Sequence, residues 1–298
     1  GGDLHLPKKT YKITVGIIVP QYAIIDGFGS IRQSEDSLAG LIVYDDVTVK
    51  NIELIGTGTV YAQHYPHLGL TAFSVNNNTS SGSTPKSTEV GKRVIVDNVR
   101  FTDGWERAIV LTSDCIVRNC TFTDTLAEAI LFHGDNNKAI GKTIEKCGGW
   151  AIDFNGGYIE CLFNTIKNVA FLDPNQDCGG ICAVGLTEEK PITGIKIIGN
   201  YIEETATGMG IVVNGQSIVH NSIVSNVMIT NNTVIGMTGG RNSQITNLPC
   251  AAIHVYRGAD STTETLISDI VITNNIIDSW HLGIVVGGAE RVTISNNI

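Results

Sequence analysis

Acidic residues in the middle of the chain have the side-chain type that acid–base catalysis requires. They are Glu128, Asp135, Asp153, Asp173 and Asp177. Two carboxyl groups can divide the work of hydrolysis, because one protonates the leaving oxygen while the other acts as base or nucleophile. We favour Asp153 with Asp177, and Glu128 as a further catalytic candidate, because Asp153 is a charged residue in an apolar strand pattern.

A second group of residues could remove a proton that lies next to a carboxylate. The run His254-Val255-Tyr256-Arg257 supplies bases and a cation in one place, and Arg241 precedes it in a long insertion. Such a reaction needs a base together with a cation that neutralises the acidic group. The sequence therefore leaves two reaction types open, hydrolysis centred on Asp153 and proton abstraction centred on His254 and Tyr256.

The elements that position these residues belong to a repeat, which is clearest from residue 94 onward. One apolar residue of the repeat recurs at Phe101, Phe122, Ile144, Ile166, Ile202, Val234 and Ile277. The first three intervals are 21, 22 and 22 residues, and the later ones are longer. A unit of this length cannot bury its own apolar face, so the units must stack. Three short strands per unit fit the pattern, which predicts an all-β parallel solenoid.

An asparagine recurs at one corner of the predicted coils. The positions are Asn98, Asn119, Asn164, Asn200, Asn232, Asn275 and Asn297, and Gly141 takes the place in one coil. Asparagine tolerates left-handed backbone, and its amide can bond to the next coil. We therefore expect a structural ladder at this corner rather than a catalytic role.

Long insertions flank one strand of three in three consecutive coils, near Ile181, Ile211 and Ile253. Long loops in compact folds are usually functional. The insertions therefore predict a walled groove over the outer face of this strand, and packing against a neighbouring subunit is the alternative.

The residue after each isoleucine of this strand should point outward into the groove. These residues are Ile42, Val110, Leu131, Asp153, Cys182, Val212, His254 and Val285. Two positions further on are Thr112, His133, Asn155, Val184, Asn214, Tyr256 and Gly287. Since coils stack about 4.8 Å apart, Asp153 and His254 should be on the order of 14 Å apart, too far to share a proton.

The repeat resembles the right-handed parallel β-helix of the pectate-lyase-like superfamily over residues 40–298. The opening GGDLHLPKKTYKI is similar to the N-terminal strand phrase of phage tailspikes and related polysaccharide-degrading proteins. We expect residues 1–39 to form N-terminal strands that cap the helix. Residues 40–298 should form the helix itself, in a fragment that stops within a coil.

This resemblance implies an endo-acting polysaccharide-degrading enzyme, with a glycoside hydrolase preferred. A polysaccharide lyase or uronate epimerase is one alternative, and a glycan-binding structural spike without catalysis is another. The expected substrate-binding residues are His133, Asn155, Asn214, Arg241, Arg257, Trp105 and Trp150. The two tryptophans could stack on sugar faces, and packing over the helix is their alternative role.

The resemblance also implies an extracellular or virion-associated setting and a homotrimer. No cofactor and no metal are expected, because His64, His67 and His133 lack the spacing of metal ligands.

Composition excludes several other classes of protein. Charged residues make up 16% of the chain, and the formal net charge is −9. This balance argues against an intrinsically disordered chain and against a nucleic-acid partner. The chain contains no stretch of 18 apolar residues, which a membrane-spanning helix would need. The seven cysteines lack zinc or redox spacing, so we expect them to serve as small buried apolar residues.

Overall fold

The computed structural model describes residues 2–34, 39–57, 68–72, 91–105, 107–169, 179–184, 192–205, 209–215, 223–236, 251–256, 266–280 and 282–298. These residues contain 31 strands and no helix. The strands form three sheets of 11, 10 and 10 strands, and each strand pairs in parallel with the strand three places later. The chain thus visits each sheet once per coil, which confirms the predicted fold, a right-handed parallel β-helix.

The first sheet contains β1 (Asp3–Leu6), β4 (Ile24–Gly27), β7 (Thr48–Lys50), β10 (Ile95–Asp97), β13 (Ile116–Arg118), β16 (Lys138–Ile140), β19 (Glu160–Leu162), β22 (Ile192–Ile198), β25 (Ile223–Thr230), β28 (Leu266–Thr273) and β31 (Ala289–Ser295). The second sheet contains β2 (Thr10–Ile13), β5 (Ser30–Gln33), β8 (Glu53–Ile55), β11 (Arg100–Thr102), β14 (Thr121–Thr125), β17 (Thr143–Cys147), β20 (Thr165–Val169), β23 (Tyr201–Thr205), β26 (Thr233–Gly236) and β29 (Ile276–Asp278). The third sheet contains β3 (Ile17–Val19), β6 (Ala39–Val43), β9 (Leu68–Thr71), β12 (Arg107–Leu111), β15 (Ile130–Phe132), β18 (Ile152–Phe154), β21 (Gly179–Val184), β24 (Met209–Asn214), β27 (Ala251–Tyr256) and β30 (Leu282–Val286).

Apolar side chains stack in register along the inside of the solenoid. The seven predicted repeat positions pair with one another in the second sheet, from Phe101 with Phe122 through to Val234 with Ile277. Six of the seven are fully buried, and only the last, Ile277, is half-buried. The Phe101 and Phe122 rings stack with centroids 4.9 Å apart. Burial of these ladders is the main driving force for stacking one coil on the next.

The segment expected to cap the helix contributes strands to the same three sheets. Strands β1 to β5 lie between Asp3 and Gln33, and β1 pairs with β4 while β2 pairs with β5. The N-terminal strands therefore continue the stacking of the later coils.

The asparagine ladder is present over the C-terminal half of the chain. In each step the backbone N–H and the Nδ2 of one asparagine donate to Oδ1 of the next. Its members are Asn164, Asn200, Asn232, Asn275 and Asn297. Each Nδ2 also donates to a backbone carbonyl of the first sheet. This satisfies buried polar groups that would otherwise destabilise the corner.

Two of the expected ladder residues have a different role. Asn98 and Asn119 have φ angles of 53° and 55° and precede the ladder position by one residue. Gly141, with a φ of 61°, holds the same place before Lys142. The left-handed backbone and the side-chain ladder therefore occupy adjacent residues of the same corner.

Lys142 occupies the ladder position in its coil and is fully buried. Its backbone N–H donates to Asn164 Oδ1, and its Nζ donates to the carbonyl of Val117. That carbonyl is equivalent to those that accept from the asparagine amides. Burial lowers the pKa of Lys142 to about 7, although Cys161 and Cys120 oppose the shift.

The prediction for the cysteines is confirmed where the structure describes them. Cys115, Cys120, Cys147, Cys161 and Cys182 are buried, and none of these five forms a disulfide. Burial raises the pKa of Cys115 and Cys161 to about 12. Such thiols are unreactive and pack as small apolar side chains.

Candidate active site on the third sheet

The predicted outward stripe forms a continuous row on the third sheet. With Ile18 and Thr71, which were not predicted, its members pair in the order Ile18, Ile42, Thr71, Val110, Leu131, Asp153, Cys182, Val212, His254 and Val285. Asp153 and His254 are three coils apart, as predicted. Since each coil adds about 4.8 Å, this places them on the order of 14 Å from one another along the sheet.

The row is buried from Thr71 to His254, where the sequence predicted side chains pointing into a walled groove. Asp153 is 9% exposed and His254 is 3% exposed, and the apolar members Val110, Leu131 and Val212 are also buried. These apolar members belong to two small clusters that are separate from the main core. Side chains on the outer face are therefore enclosed rather than solvated, and this changes their electrostatics.

Asp153 is the most perturbed carboxyl group on this face. Burial, reinforced by the negative charge of Glu128, raises its pKa to about 8, while Arg107 and a hydrogen bond with Cys182 oppose the shift. Its Oδ1 atom is buried and has no hydrogen-bond partner among the described residues. At neutral pH, Asp153 is therefore mainly a neutral acid that can give up a proton.

Glu128 lies in the preceding coil and forms an ion pair with Arg107. Arg107 Nε donates to Glu128 Oε2 at 2.5 Å, and the two side chains are 34% and 18% exposed. Ile109 pairs with Ile130, and Arg107 and Glu128 each precede these isoleucines by two residues. Arg107 was not among the residues predicted from the sequence. Its signal was a pair of opposite charges at the same position of consecutive coils.

His133 and Asn155 extend this group along the next row of the sheet. Asn155 Nδ2 lies 3.4 Å from His133 Nδ1. Burial, reinforced by the positive charge of Arg107, lowers the pKa of His133 to about 4, while Glu128 opposes the shift. His133 is therefore neutral at pH 7, and it lies close enough to the ion pair to be influenced by both charges. The structure thus brings together Arg107, Glu128, His133, Asp153 and Asn155.

His254, Tyr256 and Asn214 form a second polar group on strands β24 and β27. The His254 and Tyr256 rings stack with centroids 4.0 Å apart, and Asn214 Nδ2 donates to the Tyr256 hydroxyl at 3.1 Å. Burial lowers the pKa of His254 to about 4. All three side chains are buried, and they are separate from the group around Asp153.

The two tryptophans of the predicted site occupy different environments. Trp105 is fully buried in the main core. It packs with the residues inside the solenoid and not with the clusters on the outer face of the third sheet, which corrects the expectation that it binds substrate. Trp150 is half-buried against the cluster that contains Cys182, Met209 and Tyr256, at the edge of the outer face.

Several predicted residues are turn residues or lie outside the described part of the chain. Asp135 accepts from the Gly157 N–H, and its own N–H donates to the Ser113 hydroxyl, contacts that fix a turn. The residues outside the described ranges are Asp173, Asp177, Arg241 and Arg257, together with most of the long insertions.

The described residues contain no candidate metal site and no candidate membrane-spanning helix. No group of three or more His, Cys, Asp and Glu side chains in these ranges is arranged to hold a metal ion. Within the same ranges, no helix is long and apolar enough to span a membrane.

Comparison with known proteins finds likeness in structure only. No protein-family model and no curated protein matches the sequence. A double mutant of the tailspike protein of E. coli bacteriophage HK620 superposes with a TM-score of 0.58 at 12% identity, over 100% of this chain and 59% of that chain. The same tailspike in complex with pentasaccharide gives 0.51 at 12% identity, with the same coverage.

A second type of protein has a weaker likeness. The A-module of Azotobacter vinelandii mannuronan C-5 epimerase AlgE6 gives a TM-score of 0.48 at 10% identity, over 100% of this chain and 91% of that chain. The present chain spans less than two thirds of the tailspike chains that it matches. The comparisons therefore establish the fold, which is the right-handed parallel β-helix that these tailspikes share.

Proposed function

We propose that this protein is an endo-acting glycoside hydrolase that degrades a polysaccharide, with Asp153 as the general acid. The observation that carries the proposal is the buried Asp153 carboxyl, whose pKa is raised to about 8 beside the Glu128–Arg107 ion pair. An acid that is still protonated at neutral pH and a nearby carboxylate are the two groups that glycoside hydrolysis requires.

In the proposed reaction Asp153 donates its proton to the glycosidic oxygen as the bond to the sugar carbon breaks. Glu128 acts as the second carboxylate, either taking a proton from the attacking water or attacking the sugar itself. Arg107 holds Glu128 in place through the Nε bond. His133 and Asn155 lie next to this pair and supply neutral polar groups for sugar hydroxyls.

The choice of a polysaccharide is supported by the tailspike solved with pentasaccharide, which has the same fold. By the same analogy we propose an extracellular or virion-associated setting and a homotrimer. Sedimentation analysis of the purified chain tests the homotrimer, and a monomer at all concentrations would contradict it.

The function is tested with a panel of bacterial surface and plant polysaccharides. New reducing ends without absorbance near 235 nm (the absorbance of the unsaturated uronate from β-elimination) indicate hydrolysis. The Asp153→Asn and Glu128→Gln variants should each lose at least about 100-fold in activity, the lower range for a lost general acid or base. Asp124→Asn, an exposed residue paired with Lys146, is the matched control and should keep full activity.

Other outcomes of this experiment would contradict the proposal. If absorbance near 235 nm rose together with the reducing ends, the protein would be a lyase, and His254 and Tyr256 would become the candidate catalytic residues. Binding without cleavage would show a glycan-binding spike. Full activity in Asp153→Asn would remove Asp153 from the mechanism.

A further inference from the structure

The group formed by His254, Tyr256 and Asn214 contains a buried atom without a partner. His254 Nδ1 has no hydrogen-bond partner among the described residues, and the side chain is 3% exposed. A buried polar atom of this kind destabilises the fold unless a partner is supplied. Asp153 Oδ1 and Asn155 Oδ1 are in the same situation on the same sheet. Unsatisfied polar atoms therefore recur three coils apart on one face.

The His254 ring is held in a fixed orientation. It stacks on Tyr256 at 4.0 Å with an interplanar angle of 19°. Tyr256 is itself oriented by Asn214, which donates to its hydroxyl. Because burial keeps the imidazole neutral at pH 7, one of its ring nitrogens is a hydrogen-bond acceptor. A fixed neutral acceptor suits the hydroxyl group of a sugar.

The surroundings of His254 differ from those of a catalytic histidine. A histidine that acts as a base is commonly oriented by a carboxylate or carbonyl on its second nitrogen. Burial alone accounts for the shifted pKa of His254, and no charged group of the described residues contributes to it. The pKa of Asp153, in contrast, is influenced by the charges of both Glu128 and Arg107.

We infer that His254 forms a non-catalytic subsite for an uncharged sugar unit of the polysaccharide whose cleavage occurs at Asp153. This rests on the proposed function. The spacing of about 14 Å along the sheet places the subsite a few sugar units from the cleavage point. A chain running along the stacked strands could then contact both groups at once. His254 Nδ1 would accept a hydrogen bond from a sugar hydroxyl.

The test uses Asp153→Asn as a non-cleaving background and, as the probe, size-fractionated oligosaccharides of the panel polysaccharide that the wild-type chain cleaves. Binding is measured by titration calorimetry. Adding His254→Ala should weaken binding of long fragments by about tenfold, as expected for one lost hydrogen bond of about 1.4 kcal/mol. Fragments too short to reach from Asp153 to His254 should bind as before. His254→Asn, whose Oδ1 can replace the Nδ1 acceptor, should recover part of the affinity, and His5→Ala on the exposed first strand is the control.

Each contrary result has a distinct meaning. Equal binding of long fragments with and without His254→Ala would overturn the subsite alone. Loss of cleavage of the shortest substrates by His254→Ala in the otherwise native chain would overturn it in favour of a catalytic role. Failure of the Asp153→Asn background to bind any fragment would overturn both the substrate class and the subsite. Thermal unfolding of each variant shows whether the comparison is between folded proteins.

Discussion

Arg107 and Glu128 form an ion pair between consecutive coils, with Nε and Oε2 separated by 2.5 Å, beside a buried Asp153. The two carboxyl groups are thereby placed in different environments. Glu128 has a cationic partner and partial exposure, whereas Asp153 is enclosed. When two carboxyl groups lie in different environments, their pKa values differ, and one can act as the acid while the other acts as the base.

The activity should fall as the pH rises through the pKa of Asp153. The general acid must be protonated, and its pKa is raised to about 8. We therefore expect kcat/KM to decline above about pH 8, tenfold per pH unit once Asp153 is ionised. A pH profile of the wild-type enzyme checks this. If kcat/KM did not decline up to pH 10, Asp153 could not be the general acid.

Replacement of Arg107 should shift that profile. Arg107 lowers the pKa of Asp153 against the larger effects of burial and Glu128, so Arg107→Gln should raise this pKa and move the basic limb to higher pH. Activity should also fall, because Glu128 loses the partner that positions it. Arg107→Lys should restore part of both properties. A purely structural role for Arg107 would reduce activity at every pH without moving the limb.

Asp153→Asn should make the protein more stable at neutral pH. The pKa of Asp153 is higher in the folded than in the unfolded chain, so ionisation of the unfolded chain above about pH 4 favours unfolding. This penalty reaches its full size above about pH 8. Since one pKa unit corresponds to about 1.4 kcal/mol and pH 7 lies about three units above the unfolded pKa, we expect a gain on the order of 4 kcal/mol at pH 7. Thermal unfolding at pH 3.5 and pH 7 measures it, and an equal effect at both values would contradict the electrostatic cause.

Lys142→Asn should also stabilise the fold, because it would extend the asparagine ladder by one coil. The pKa of Lys142 is lowered to about 7 in the folded chain. Its burial therefore disfavours folding increasingly as the pH falls below the unfolded value of 10.5, with the full penalty below about pH 7. Asparagine would keep the bond to the Val117 carbonyl without the charge. Since the shift is about 3.5 pKa units at about 1.4 kcal/mol each, we expect a gain on the order of 4–5 kcal/mol at pH 6.

Two comparisons separate the causes of that gain. Lys142→Met removes the charge but cannot donate to the Val117 carbonyl, so it should gain less than Lys142→Asn. For both variants the electrostatic part of the gain should shrink towards pH 10.5. Urea unfolding at pH 6 and pH 10 provides the measurement, and a variant less stable than wild type at pH 6 would contradict the prediction.

The sequence was sufficient to predict the fold because stacking imposes a strict repeat. Each inward residue, such as Phe122 or Ile144, must align with its equivalent one coil away, so spacing alone identifies the register. The outward row could be predicted equally well, and Asp153 and His254 lie at the positions in it that the repeat predicted. These positions follow from period and alternation, which are properties of the chain alone.

Burial and pairing on the outer face could not be predicted in the same way. Whether Asp153 is solvated or enclosed depends on chain segments distant in sequence, and the repeat contains no information about them. The burial of Trp105 could not be predicted either, since a residue that precedes a strand can lie inside or outside the solenoid. Arg107 was missed because the position two residues before each isoleucine of the third sheet was not compared from one coil to the next.

The replacement of asparagine by Lys142 has a consequence for how the molecule unfolds. In a solenoid each coil contacts only its neighbours, so cooperativity depends on the strength of every junction. The continuous side-chain ladder runs from Asn164 to Asn297, and it ends at a coil that carries a buried amine. We therefore expect the coils on the two sides of residue 142 to differ in stability. Amide hydrogen exchange should reveal two units of different opening free energy that meet there.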